Sequence, residues 1–282
     1  MGRPTLTRRL GVASLLASLS VLTACAGSDG GAPGDAPARA QDAPPAEELE
    51  ELGSAEFYPA VVEALQEAET FAFASSTTSE DAATPATSIE GVMRYDDEGV
   101  DLRASSTGPQ PLEMLVVDRV LYLQGEGLDL GEKSWLKVDL DEESESLFGF
   151  LAKATDPELL FRAMAEPRRF ALVGPEQVDG VATHHYDVVV DTAAYAEAIE
   201  LPAFMAEYLP EEIGIQMWVD GDNRPRRFLQ QIETTIPGGS SGAATATSTT
   251  EGTYSDYGLE VELEAPPAAE VTEDAALTGL AG

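Results

Sequence analysis

The sequence predicts an α+β fold: one antiparallel sheet with helices laid over one face. Three observations carry this. Ala182, His184, Tyr186, Val188 and Val190 alternate with a period of two, the mark of a half-buried strand. At Asp191 that pattern breaks into two short helical stretches, one with Tyr195, Ala198 and Ile199, the other with Phe204, Met205, Tyr208 and Leu209. Alternation then returns at Ile213, Ile215, Met217 and Val219, and Asp220-Gly221-Asp222-Asn223 is a hairpin signal leading into a partner strand that ends at Ile236.

From the N-terminus, Arg3, Arg8 and Arg9 precede an apolar run at 10–22, which reads as a signal peptide and is too short to stay as a membrane span. It ends in Leu22-Thr23-Ala24-Cys25, the lipobox pattern of bacterial lipoproteins, and Cys25 is the single cysteine of the 282 residues. The expectation is cleavage after residue 24 and a lipid anchor, with acyl chains such as palmitate, on Cys25. An exported chain with one cysteine has no internal disulfide, so its stability rests on an ordinary core. Removing residues 1–24 takes away three arginines and no acids, moving the net charge from −35 to −38. Such a surface repels nucleic acid and gains nothing from anionic headgroups. Membrane contact therefore falls to the anchor.

Residues 25–48 are Ala, Gly, Pro and Asp without periodicity and read as a disordered tether. Residues 49–267 form the predicted domain. Its first element is a helix with Phe57, Val61 and Leu65 on one face, interrupted somewhere in 53–59 by Pro59. Strands follow around Phe71 and Phe73, around Ile89, Met93 and Tyr95, and at 100–104. Next comes a hairpin, 112–117 and 120–123, turned by Asp118-Arg119. Its strands are apolar on both faces, Leu115 among them, which predicts a central position with cover on each side. A strand at 135–140 leads through acidic residues to Leu147, Phe148, Phe150 and Leu151. Asp156-Pro157 then caps a helix with Leu159, Leu160, Phe161 and Met164. The end of the domain reads as a last hairpin over 243–264, and 268–282 as a disordered tail.

No constellation of catalytic residues emerges. Gly238-Gly239-Ser240-Ser241-Gly242 has the spacing of a serine nucleophile elbow, but a strand pattern follows where a helix is required, and no histidine lies downstream. His184 and His185 are adjacent on a strand, so they point to opposite faces and cannot share a metal. His184 is expected to pack and His185 to face solvent. Asp139, Asp141 and Glu143 alternate like the start of a calcium loop, yet Ser144 and Phe150 stand where that loop needs Gly and Glu. Gly125-Glu126-Gly127 lacks the third glycine of a dinucleotide fingerprint. Arg224, Arg226 and Arg227 form a basic island whose expected role is pairing with carboxylates. Neither a metal nor a cofactor is implied.

The stretch from Val178 to Tyr186 (V-D-G-V-x-T-H-H-Y), Leu201-Pro202, W-V-D-G-D-N-R-P-R-R and Tyr254-Ser255-Asp256-Tyr257-Gly258 resemble actinobacterial lipoproteins of the LppX/LprA/LprF/LprG type. The fold of that family is related to the LolA and LolB carriers, which implies a single curved antiparallel sheet, a half-barrel of about ten or eleven strands, with helices over its concave face. The resemblance implies a LolA-like, membrane-anchored, extracytoplasmic monomer that carries a lipid or glycolipid and performs no catalysis. It also implies an apolar cavity, for which the candidate lining is Phe73, Met93, Leu115, Leu147, Phe148, Leu151, Leu160, Met164, Val188, Phe204, Met205 and Met217. An envelope export protein is the implied partner. The alternative is a regulatory or scaffolding lipoprotein whose LolA-like domain binds a protein.

Overall fold

Gly53 starts the first helix, and its N–H is held by the Glu56 carboxylate at 3.3 Å. The computed structural model of the chain describes residues 49–81, 84–96, 99–140, 166–198, 209–236 and 244–273. In it α1 spans Ser54–Ala68 and buries Phe57, Val61 and Leu65, the predicted stripe. Pro59 does not interrupt it. The proline sits in the second turn, where its missing N–H costs one helical bond, and the apolar stripe packs well enough to absorb that loss.

The strands are β1 (Thr70–Ser79), β2 (Thr87–Asp96), β3 (Gly99–Thr107), β4 (Leu112–Val117), β5 (Val120–Gly125), β6 (Trp135–Asp139), β7 (Arg169–Val178), β8 (Val181–Asp191), β9 (Glu212–Asp220), β10 (Pro225–Ile236), β11 (Ala244–Ser255) and β12 (Val271–Thr272). They make one 12-stranded sheet in the order β12-β6-β5-β4-β3-β2-β1-β11-β10-β9-β8-β7. The sheet is open, ending at β12 and β7. Its pairings are antiparallel except β12 on β6, which is parallel.

The turns obey their local chemistry. Asp118 and Arg119 both take positive φ, 51° and 62°, as a two-residue hairpin requires. At the β9–β10 turn the Asp220 carboxylate accepts from the N–H groups of Asp222 and Arg224 at 2.9 and 3.0 Å. Helix α2 (Thr192–Ala198) begins where predicted, with Asp191 Oδ1 accepting from Ala194 N–H at 3.0 Å.

Most of the core lies on one face, called inner below. Helix α1 crosses it. Phe57, near its start, packs its ring against Phe170 of β7 and Tyr186 of β8 at 5.3 and 5.0 Å, while Glu69, just past its end, leads directly into β1. From β8 to β1 is four strand spacings, roughly 19 Å. A helix of 15 residues is about 22 Å long, so it just reaches.

Three further expectations fail. The last hairpin is a single strand, because β11 is already flanked by β1 and β10 and has no free edge for a returning partner. Residues 256–267 instead leave the sheet, tied down by Gly258 N–H to Thr70 O at 2.8 Å and Thr70 Oγ1 to Leu259 O at 2.7 Å. The start of the predicted tail is structured: Ala268–Glu270 forms a 3₁₀ turn and β12 joins the sheet edge. The β4–β5 hairpin is covered on both faces as expected but lies near one end of the sheet. Its second cover is the C-terminal segment, with Leu263, Val261 and Val271 packing in a separate cluster with Leu115, Val117 and Tyr122.

Candidate functional site

Phe73, Met93, Val188 and Met217 meet on the inner face in one buried cluster that runs from Val138 on β6 to Val188 and Val190 on β8. Register explains their meeting. Met93 stands between Phe71 and Leu102, Phe73 opposite Tyr254, and Met217 between Tyr186 and Phe228. The Phe73 ring lies over Gly91, where an added Cβ would come within 2.7 Å of its Cζ and 2.3 Å of Arg103 O. Leu115 does not belong to this face. One residue out of phase with Met114 and Val116, it points to the outer cluster. Leu147, Phe148, Leu151, Leu160, Met164, Phe204 and Met205 fall outside the described residues, as do Cys25, the Gly-rich segment at 238–242 and the acidic positions 141 and 143.

The inner face is not uniformly apolar. Thr77, Thr250 and Gln230 are buried on it, with Thr77 and Thr250 hydroxyls 3.0 Å apart. The sequence reading missed them, although Thr77 continues the alternation of Phe71 and Phe73. His184 also faces inward, edge-on to Tyr186 at 6.2 Å, and its Nδ1 is buried without a hydrogen-bond partner.

His185 is the main correction. It points away from the core as expected, yet is only 8% exposed. Its ring stacks on the Trp218 indole at 4.1 Å, with the Arg227 guanidinium 4.7 Å from that indole. Glu176 on the edge strand β7 reaches across β8 to close the cluster. Its carboxylate accepts from Trp218 Nε1–H at 2.7 Å and meets His185 Nδ1 at 3.0 Å, while Gln216 Oε1 is 3.1 Å from Nε2. Aromatic stacking shields a histidine that strand parity alone assigns to water. The Trp218 bond, then the His185 bond and the charges of His185 and Arg227, hold the Glu176 carboxyl below its ordinary range. With the folded pKa below the unfolded one, the contribution of this clasp is full above the unfolded value and lost as pH falls through the folded one. In a Trp135→Phe background, Trp218 emission is therefore expected to titrate on acidification from the ordinary glutamate range downward. Glu176→Gln should abolish that titration; an unchanged acid transition would show that Glu176 does not hold the indole.

The basic island pairs with acids as expected. Arg226 Nε donates to Asp220 Oδ2 at 2.6 Å, Arg227 pairs with Glu251, and Arg224 and Arg226 lie over the Tyr257 ring. A separate open cleft of about 610 Å³ sits over the ends of β3, β4 and β5, with Ser105, Glu113, Gln124, Glu126, Asp129 and Lys133 in its wall. This polar cleft contains none of the predicted lining residues. Among the described residues no group of three His, Cys, Asp or Glu side chains could hold a metal ion, and no helix is long and apolar enough to cross a membrane.

No family model and no curated protein matches the chain. Solved structures do. The chain is similar to LprF from Mycobacterium bovis at 13% identity and a TM-score of 0.46, covering 76% of this chain and 96% of that one. It is similar to the Mycobacterium tuberculosis lipoprotein LppX at 15% identity and a TM-score of 0.48, covering 75% and 98%. A LolA-superfamily protein from Nitrosomonas europaea matches at 10% identity and a TM-score of 0.28, covering 73% and 93%. LprF and LppX are the lipoproteins whose group the sequence resembles. TM-scores below 0.5 leave what the chain does to be read from its own residues.

Proposed function

We propose that the protein is an exported lipoprotein, anchored through Cys25 on the extracytoplasmic face of the plasma membrane, whose domain binds a lipid or glycolipid on its apolar inner face. The carrying observation is a mismatch of extents. Helix α1 reaches from β8 to β1, whereas the apolar face continues over five more strands, β2 to β6, with Met93, Leu102, Val116, Leu121, Leu123, Leu136 and Val138. The sequence places its Phe-, Met- and Leu-rich helical segments at 147–151, 159–164 and 204–209. Laid over the concave side of the sheet, these would leave a cavity between helix and strand with Leu147, Phe148, Leu151, Leu160, Met164, Phe204 and Met205 as its second wall. Burying acyl methylenes there stabilises the complex by about 0.8 kcal/mol each, so affinity needs no elaborate headgroup site. No chemistry is performed; the ligand is held, then transferred or presented, with an envelope export protein as the candidate partner. The lipobox supplies the anchor, residues 25–48 the tether, and a monomer suffices.

Fractionation followed by solvent extraction tests both halves. The wild-type protein is expected in the membrane fraction and Cys25→Ala in the soluble extracytoplasmic fraction, each yielding non-covalent acyl lipid. Membrane retention of Cys25→Ala would refute the anchor. Lipid-free protein in both fractions would refute the cavity.

A further inference from the structure

The two ends of the sheet are protected differently. At β7 the edge blunts itself: the register slips between Leu172 and Gly174, Val173 is 57% exposed, and Pro175 has no N–H to offer a further strand. At the other end β6 has neither bulge nor proline, and the C-terminal segment covers it instead. That cover is thin. Only Val271 and Thr272 pair with it, opposite Trp135 and Leu136. Beside them Ser134 N–H donates to Glu270 O at 2.9 Å, Lys133 Nζ donates to Ala269 O at 2.7 Å, and an exposed ion pair joins Lys137 to Glu273 at 2.8 Å. Upstream, the backbone of 260–266 bonds to no described residue. This stretch is held on the outer face by side chains: Val261 and Leu263 pack with Leu115, Val117 and Tyr122, while Glu260, Glu262 and Glu264, alternating with them, are exposed. An extended segment with few backbone bonds and one row of apolar contacts opens far more readily than the strands beneath it.

We propose that residues 259–273 are a strap bound in cis over a strand-docking surface. Leu115, Tyr122 and Lys137 stand in one row across β4, β5 and β6, so the apolar patch adjoins the β6 edge. With the strap lifted, an open regular edge and an apolar patch lie side by side, a combination that takes up extended chain. The occupant in trans is an extended segment of a partner protein, and the strap defines its chemistry. It carries apolar side chains at alternate positions for the patch, as Val261 and Leu263 do, then a carboxylate facing Lys137, as Glu273 does. A second copy paired through its own β6 is disfavoured, because antiparallel pairing about the strand centre sets Lys137 against Lys137. The strap keeps the surface closed until a segment that binds it better arrives.

The probe is a labelled synthetic peptide of residues 259–273, titrated into the full-length chain in mild detergent. In the wild type the strap competes, so the peptide's affinity is reduced by the fraction of chains that are open. Val261→Asp with Leu263→Asp in the chain unseats the strap and should raise that affinity by about tenfold or more. Adding Lys137→Glu should take back about threefold of the gain, and a peptide carrying Glu273→Lys should restore it. Peptide binding no tighter than to the wild type would overturn the docking surface. Dimerisation of the double variant without peptide would make a second copy the occupant and overturn the partner assignment. Should the double variant fail to fold, hydrogen exchange on the wild type decides. The Ser134 amide, bonded to Glu270 O, should exchange at least about a hundredfold faster than the amides of β5. Equal rates would mean that the strap opens only with the whole sheet, and would overturn the proposal.

Discussion

Phe57→Ala should lower stability to urea by about 3–5 kcal/mol, the usual cost of emptying a buried aromatic site. The side chain is 2% exposed and wedged between Phe170 on β7 and Tyr186 on β8, with ring centroids 5.3 and 5.0 Å away. It is also where α1 reaches the far strands. Leu52 N–H, just ahead of the helix, donates to the Tyr186 hydroxyl at 2.9 Å, so one tyrosine receives both the ring and the chain that carries it. A domain's net stability is typically about 5–15 kcal/mol, so this loss would be a large fraction of the whole. Phe57→Leu keeps most of the volume and should cost under about 1.5 kcal/mol. A Phe57→Ala loss below about 1 kcal/mol would mean that α1 does not pin the β7–β8 end of the sheet.

The second large effect belongs to Asp220. Its side chain is 4% exposed and accepts from Asp222 N–H, Arg224 N–H and Arg226 Nε–H. Removing one member of a buried pair leaves the other charge uncompensated, at a cost of about 3–5 kcal/mol. Asp220→Ala should lose stability on that scale, measured by urea unfolding. It should also loosen the β9–β10 hairpin, seen as faster amide exchange at Asp222 and Arg224. Asp220→Asn retains an oxygen acceptor for the turn and should lose less. If Asn and Ala cost the same, the ion pair rather than the turn carries the effect. If neither destabilises, Asp220 is not the pin of this hairpin.

The parts of the fold written in local chemistry were legible. The alternation of β8, the Asp191 cap, the Asp118-Arg119 turn and the Asp220 hairpin all depend on neighbours a few residues apart. Non-local facts were not. The residues after Ser255 alternate and so read as a strand, yet whether they pair depends on the free edges of β11, which β1 and β10 occupy. Strand parity places His185 on the wet face. Glu176 and Trp218, drawn from the two strands on either side of it, bury it. Leu115 shows the same limit from the other side: a hairpin apolar on both faces does not disclose which face meets the main core. The polar row of Thr77, Thr250 and Gln230 becomes visible only when three strands are aligned in register.

Lipid binding is tested most directly by native mass spectrometry of residues 26–282 produced in a bacterial host, followed by organic extraction. The expected result is a bound mass that survives desalting and extracts as a di- or triacylated species. A clean apo mass, with no uptake from added lipid extract, would contradict lipid carriage on the inner face.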